Sequence, residues 1–429
     1  MADVQPLHAI RYDTSVVGPL SGVTAPPYDV ISPQGRATLL ERSKYNVVAV
    51  DLPAMDSQGR LQANEDAQAD PYEAAGALFA KWRTQGALIA DSQPTLWAHT
   101  QEYTGPDGIA RTRRGFFCRV RIEDYDGGRV RPHERTHPGP KEDRLRLMRA
   151  TQANLSAIFS LYSDPSHAAW DALAPAGEQA PDGEVTDDEG TVHRIWRVSE
   201  METIASVQET LRDAELLIAD GHHRYETAQT YAQEIGGEGP HRYVLMCLVA
   251  LEDPGLTVFP THRLVSGLDE HRRAALAEAI SRNFESQEVS LDELAPPPGE
   301  GPLQLGYIDS NLRHTRLTLR SQAIADEALP GRSSAYRSLD TGVLEALLLK
   351  GALGMSDHDI AELNGLWYAR DAQEAIERVR DGGADAAFVM RPTPVARVRD
   401  VAASGENMPP KSTFFFPKLL TGLLFNPLA

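Results

Sequence analysis

The sequence is short of cysteine, of long apolar runs and of positive charge, and each shortage excludes a class of protein. Its two cysteines, Cys118 and Cys247, lie far apart in a chain of 429 residues, so they build neither a disulfide framework nor a thiolate zinc site. A reducing, cytoplasmic setting suits such a chain. No stretch approaches the roughly 20 apolar residues of a membrane span, and MADVQPLHAIRYD lacks the basic flank and apolar core of a signal peptide. No membrane partner is expected. Lys and Arg number 42 against 61 Asp and Glu, and the formal net charge of -19 repels the phosphate backbone of nucleic acid. No nucleic-acid partner is expected either. With 41% apolar residues the chain reads as globular and long enough for two or three domains.

The pattern along the chain mixes strand and helix signals. Residues 1–112 read as an α/β segment, with a β-like run at Val47 to Leu52 and a helix-like PYEAAGALFAKWRTQGAL. GFFCRVRI reads as a strand, and the Pro-, Gly- and acid-rich residues 164–190 as a surface loop or insertion. LLIAD then reads as a buried strand and HHRYETAQTYAQEIGG as a helix, because Tyr225, Ala228, Ala232 and Ile235 recur at three or four residues and Gly236 can cap the end. Another α/β stretch runs from 266 to 404, and the chain closes on GENMPPKSTFFFPKLLTGLLF.

Two constellations carry chemistry. In the first, an apolar strand stops on Asp220-Gly221 and a helix opens at His222, which brings backbone N–H groups and the positive end of a helix dipole to one point. Arg224 can grip phosphate oxygens in a fork, and Gly221 removes a side chain from the approach. The competing reading makes Asp220 a helix cap and Arg224 a surface charge. In the second, RPHERTHPGPKEDR at 131–144, Pro132, Pro138 and Pro140 are expected to prevent regular helix and hold charged groups on an extended track. Glu134 reads as a general base toward a hydroxyl, with Lys141 and Arg144 neutralising phosphate charge. The competing reading is a charged loop followed by a helix start.

His133, His137, His222, His223 and Glu226 raise a metal reading, but nothing matches HExxH or its inverse. Magnesium arriving with a phosphoryl donor needs only one or two carboxylates, for which Asp220 and Glu226 are the candidates. GENMPPKS has the spacing of a phosphate loop, yet Pro410 replaces the second glycine and has no N–H to donate. Lys411 and Ser412 remain candidates for a composite phosphate site, and Lys418 lies among otherwise core-forming residues.

APPYDVIS (25–32), PKEDRL (140–145), RATQANLSAIFSLY (149–162), ADGHHRYETA (219–228), PTHR (260–263) and GENMPPKSTFFFPKLLTG (405–422) together resemble the domain-of-unknown-function family ten-fifteen. The turn Asp220-Gly221-His222-His223-Arg224 also resembles the phosphate-binding turn of the ParB and sulfiredoxin-like superfamily, in which a Gly-x-x-Arg at a helix start holds nucleotide phosphates. His222 stands where sulfiredoxin has its cysteine, which removes that chemistry. The free serine kinase branch is more similar, with a Pro-His-Glu matching Pro132-His133-Glu134 and an acid before the turn matching Asp220. The fold implied is α/β, mixed α+β: a ParB/sulfiredoxin-like core at 113–265, with an insertion near 164–190, embedded between the segments 1–112 and 266–404, and with 405–429 packing back on it.

The function implied is a small-molecule phosphotransferase, a free L-serine kinase using Mg2+ and ATP, ADP or pyrophosphate. Glu134, Asp220 and His223 would be catalytic, with Gly221, His222, His223, Arg224, Lys141, Arg144, Lys411 and Ser412 around the phosphates. The alternatives are a metal-dependent phosphohydrolase acting on phosphoserine or a similar phosphometabolite and a non-catalytic nucleotide-binding regulator of ParB type. The oligomeric state is left open.

Overall fold

A computed structural model describes residues 2–53, 70–126, 129–134, 138–299 and 301–429. The fold is mixed α+β, and the chain divides into two compact units. The first gathers Met1–Pro132, Thr136–Leu256 and Pro417–Ala429, and the second His133–Arg135 and Thr257–Phe416. The expected core at 113–265 and the tail at 405–429 are thus each shared out between the units.

The first unit is organised by β1 (Val4–Gln5), α1 (Pro71–Thr84), β2 (Leu96–Thr104), β3 (Ala110–Arg121), β4 (Val130–Arg131), α2 (Pro138–Thr151), β5 (Ile158–Tyr162), β6 (Gly183–Thr186), β7 (Val192–Val198), α3 (Met201–Leu211), β8 (Leu216–Asp220), α4 (His222–Ile235) and β9 (Tyr243–Ala250). Nine described strands form one sheet in the order β4-β8-β5-β9-β3-β2-β7-β6, with β1 paired to β3. Most neighbours are antiparallel, while β8 with β4 and β9 with β5 are parallel. One face presents alternate residues such as Ala98, Phe116, Cys118, Met246 and Leu248 to the apolar sides of α3 and α4. The opposite face carries a buried polar band, His99 and Gln101 on β2 with Arg113 on β3.

The second unit contains β10 (Thr257–Phe259), β11 (His262–Val265), α5 (Glu270–Asn283), β12 (Phe284–Glu288), β13 (Gln304–Asp309), β14 (His314–Leu319), β15 (Leu366–Ala369), α6 (Ala372–Arg380), β16 (Ala386–Val389) and β17 (Phe414–Phe416). An antiparallel sheet in the order β12-β14-β13-β16-β11-β15 separates two apolar clusters, and β10 pairs with β17.

Three local expectations change. Val48–Asp51 is a helical turn rather than a strand, started by the Asn46 side chain, which accepts from the Val48 N–H. Residues 164–190 hold a helix at Ala168–Leu173 and the edge strand β6, because Asp164 caps that helix and Asp187 organises the β6–β7 turn. The prolines at 138 and 140 do not prevent helix: α2 begins at Pro138, and in a first turn the missing N–H groups have no helical partner to lose. His137 lies outside the described residues. Among the described residues no helix is long and apolar enough to cross a membrane.

Candidate phosphate site

Strand β8 is buried from Leu216 to Ala219 and is paired along both edges, with β4 and β5, so its backbone position is fixed up to Asp220. Its register with β5 slips by one residue between Ile218, opposite Ser160, and Asp220, opposite Phe159. This bulge re-aims the Asp220 side chain at the point where the strand ends. Gly221 follows with φ 107°, in the left-handed region, and α4 starts at His222. A Cβ at Gly221 would stand 3.0 Å from the Arg224 Nε, so glycine serves here both for the turn and for the guanidinium folded over it.

Asp220 is held between two cations. The Lys418 Nζ donates to its Oδ1 at 2.5 Å, and an Arg224 Nη donates to its Oδ2 at 2.6 Å. The other Arg224 Nη donates to the Ala157 carbonyl. Burial works to raise the Asp220 carboxyl, but Lys418 and Arg224, with His222 nearby, hold it well below the usual carboxylate range. It is therefore a carboxylate at any physiological pH. His222 is buried in the first turn of α4, and His223 follows it half-buried.

Around this turn the remaining charges are matched. On facing helices Lys141 donates to Glu226 at 2.9 Å. Arg144 is buried with the carboxylates of Asp51 at 2.9 Å and Asp143 at 2.6 Å, donates to the Asp51 carbonyl at 2.8 Å, and lies 4.2 Å from the centre of the Tyr28 ring. Burial pushes the Tyr28 phenol up to about 12, so it stays neutral. A cavity of about 40 Å³ opens between Arg144 and Arg224, lined in part by Asp51, Asn154 and Ser156. Arg144 serves the Asp51–Asp143 pair in this structure, whereas Arg224 and Lys418 belong to Asp220.

The expected metal ligands, Asp220 and Glu226, are each engaged by cationic groups. No cluster of three His, Cys, Asp or Glu able to hold a metal occurs among the described residues. These donors, already paired with cations, do not fit a resident metal.

Glu134, Lys411 and Ser412 belong to the second unit. There the Met408 N–H donates to the His133 carbonyl at 2.8 Å, and the Lys411 N–H reaches the Glu134 Oε1 at 3.4 Å. Lys411 has φ 56° and an exposed side chain. The carbonyls of Pro410 and Lys411 accept from the buried Arg263 at 3.2 and 3.1 Å. Ser412 is buried, donating to the Pro409 carbonyl at 2.6 Å and lying 2.9 Å from the Thr341 hydroxyl. Its hydroxyl is a structural group here.

Sequence reasoning missed the pairing of Lys418 with Asp220, and the parts taken by Asp51 and Tyr28. A lysine in an apolar tail was the available signal, but a separation of 198 residues gives the sequence no means of naming its partner.

The model of the family described as protein of unknown function (DUF1015) matches residues 4–341. The chain belongs to that family. No curated protein matches it. Among solved structures it is similar to a conserved hypothetical protein from Pyrococcus furiosus, at 14% identity and a TM-score of 0.35, over 70% of this chain and 90% of that one. A mutant free serine kinase in complex with ADP is similar at 12% identity and a TM-score of 0.36, over 70% of this chain and 87% of that one. SbnI from Staphylococcus aureus, truncated at its C-terminus, is similar at 12% identity and a TM-score of 0.33, over 70% and 84%.

Proposed function

We infer that the Gly221–Arg224 turn binds the phosphate groups of a nucleotide or of pyrophosphate, and that the protein is a phosphotransferase acting on a small hydroxyl compound, with free L-serine the first acceptor to test. One observation carries this reading. At the start of α4 a carboxylate, Asp220, sits between Arg224 and Lys418 beside a glycine over which the Arg224 guanidinium folds. An entering phosphate meets the same two cations by exchange with that carboxylate, and the first-turn N–H groups and the helix dipole add to the attraction.

Phosphoryl transfer asks mainly for positioning and charge neutralisation. The acceptor hydroxyl oxygen forms the new bond to phosphorus as the bond to the leaving phosphate oxygen breaks, and the leaving group keeps the electron pair. The hydroxyl proton passes to a base, a role we assign to Glu134 on its Pro132-His133-Glu134 setting. His223, at the start of α4, is the second candidate to handle that proton.

The test is purified protein with L-serine and, in turn, ATP, ADP, CTP and pyrophosphate, read by phosphoserine formation. The expected result is phosphoserine with at least one donor. No product with any donor removes the kinase reading.

A further inference from the structure

On the polar face of the large sheet, Gln101 and Arg113 stand opposite one another on β2 and β3, each 1% exposed. The Arg113 guanidinium donates to the Gln101 Oε1 from Nε at 2.9 Å and again from an Nη. What the pair holds is the tail. Gln101 Nε2 donates to the Lys418 carbonyl at 3.0 Å, and Arg113 donates to the Pro417 carbonyl at 2.6 Å. The Arg113 guanidinium also lies 4.5 Å from the centre of the Phe159 ring, and Phe159 is the residue opposite Asp220 in the β5–β8 ladder.

Anchoring the tail does not by itself call for these groups. Leu419, Leu420, Leu423, Leu424 and Phe425 are all buried, and Thr421 and Phe425 make backbone bridges to Ala25 and Ile10. A guanidinium taken out of water is costly, and burial pushes Arg113 down to about 10. Two consecutive carbonyls fixed from the sheet, by contrast, determine where the Lys418 side chain begins. The rotamers of the lysine still have to be ordered, but with its backbone already fixed no further backbone freedom is lost when the ammonium meets Asp220.

We propose that Gln101 and Arg113 are positioning residues, which act through the backbone of Pro417 and Lys418 to set the Lys418 ammonium against Asp220 and thereby tune the anion affinity of the Gly221–Arg224 turn. The effect on affinity rests on the reading of that turn as a phosphate site. The effect on Asp220 does not.

The experiment has two arms on the same variants. In the first, ADP and pyrophosphate are titrated into the wild type, Gln101→Leu, Lys418→Met and the double variant. Each single change weakens binding roughly tenfold, and the double is no weaker than Lys418→Met alone, because Gln101 acts only through Lys418. Additive losses, or a Gln101 variant with wild-type affinity, overturn the proposal. Gln101→Met, a neutral side chain of similar length, also loses the amide that bonds the tail and introduces no new charge, so it replaces Gln101→Leu if that variant does not fold.

The second arm follows stability against pH and needs no ligand. The charged and titratable groups facing Asp220 are Lys418 from the tail, Arg224 and His222 from α4, and Arg113 from β3. A carboxylate with a depressed folded pKa stabilises above its unfolded value, near 4, and that stability is lost as pH falls through the folded value. Lys418→Met and the Gln101 variant therefore both lose less stability than wild type between about pH 5 and pH 2, and neither change does so in an Asp220→Asn background. A Gln101 variant destabilised equally at every pH contradicts the positioning role. Wild-type protein that binds neither ADP nor pyrophosphate, yet shows this pH signature, removes the phosphate reading and keeps the positioning.

Discussion

The tail meets an acid in each unit, and the two encounters are built differently. In the first unit Lys418 points its ammonium at Asp220, which Arg224 holds from the other side, and the tail carbonyls there are fixed by Gln101 and Arg113. In the second unit Lys411 offers Glu134 only its backbone N–H, its side chain is exposed, and the tail carbonyls are fixed by Arg263. The same device, a buried arginine bonded to tail carbonyls, thus places a cation in one unit and a backbone turn in the other. Asp220 is a carboxylate paired with two cations, which on the proposed reading an incoming anion takes over. Glu134 has no such pair of cations bonded to it among the described residues. The first region should therefore govern affinity, and the second should govern rate.

The largest effect expected is on the second region. Glu134→Gln preserves shape and removes the base, so turnover falls about a hundredfold or more while ADP affinity stays at the wild-type value. Unchanged turnover places the base elsewhere, with His223 or Glu226 next to be changed. A drop in ADP affinity as large as the drop in rate would erase the contrast between the regions.

Gly221→Ala comes next, and it tests the first region by shape. The left-handed φ of 107° and the 3.0 Å approach of Arg224 both oppose a Cβ, so the variant should lose about 1–3 kcal/mol of stability and displace the guanidinium. Thermal unfolding with and without ADP reads both effects. Equal ADP affinity in this variant would mean that the arginine need not lie over the turn.

The smallest effect separates the two lysines. Lys418→Met should weaken ADP binding roughly tenfold through loss of a charge-assisted pair, whereas Lys411→Met should change it less than about twofold because, among the described residues, Lys411 bonds through its backbone and its side chain is exposed. Comparable losses from both would show that the exposed Lys411 side chain also serves the phosphates.

The strand, turn and helix around Asp220 were legible in the sequence because each is a local signal: an apolar run, a glycine that accepts positive φ, and apolar residues at helical spacing. The mixed α+β class was legible for the same reason. The tail pairing was not, since Lys418 reaches Asp220 across 198 residues. Proline at 138 and 140 misled for a different cause, as the residue that breaks a helix interior is accepted in a first turn. VAVD at 48–51 reads as β-branched strand, yet its place after a capping Asn46 made it a helical turn that delivers Asp51 to Arg144. In the sequence Arg144 and Arg224 are alike phosphate candidates and their neighbours cannot be named; in the fold Arg144 is paired with Asp51 and Asp143, and Arg224 with Asp220.

On the proposed reading the turn after β8 binds phosphate through Arg224. Calorimetric titration of ADP and of pyrophosphate into wild type and Arg224→Ala tests it most directly. The variant removes a charge-assisted interaction of about 1.5–3 kcal/mol, so both ligands should bind roughly ten- to a hundredfold more weakly, with the folded state verified by its unfolding transition. Equal affinities in the two proteins would contradict the claim.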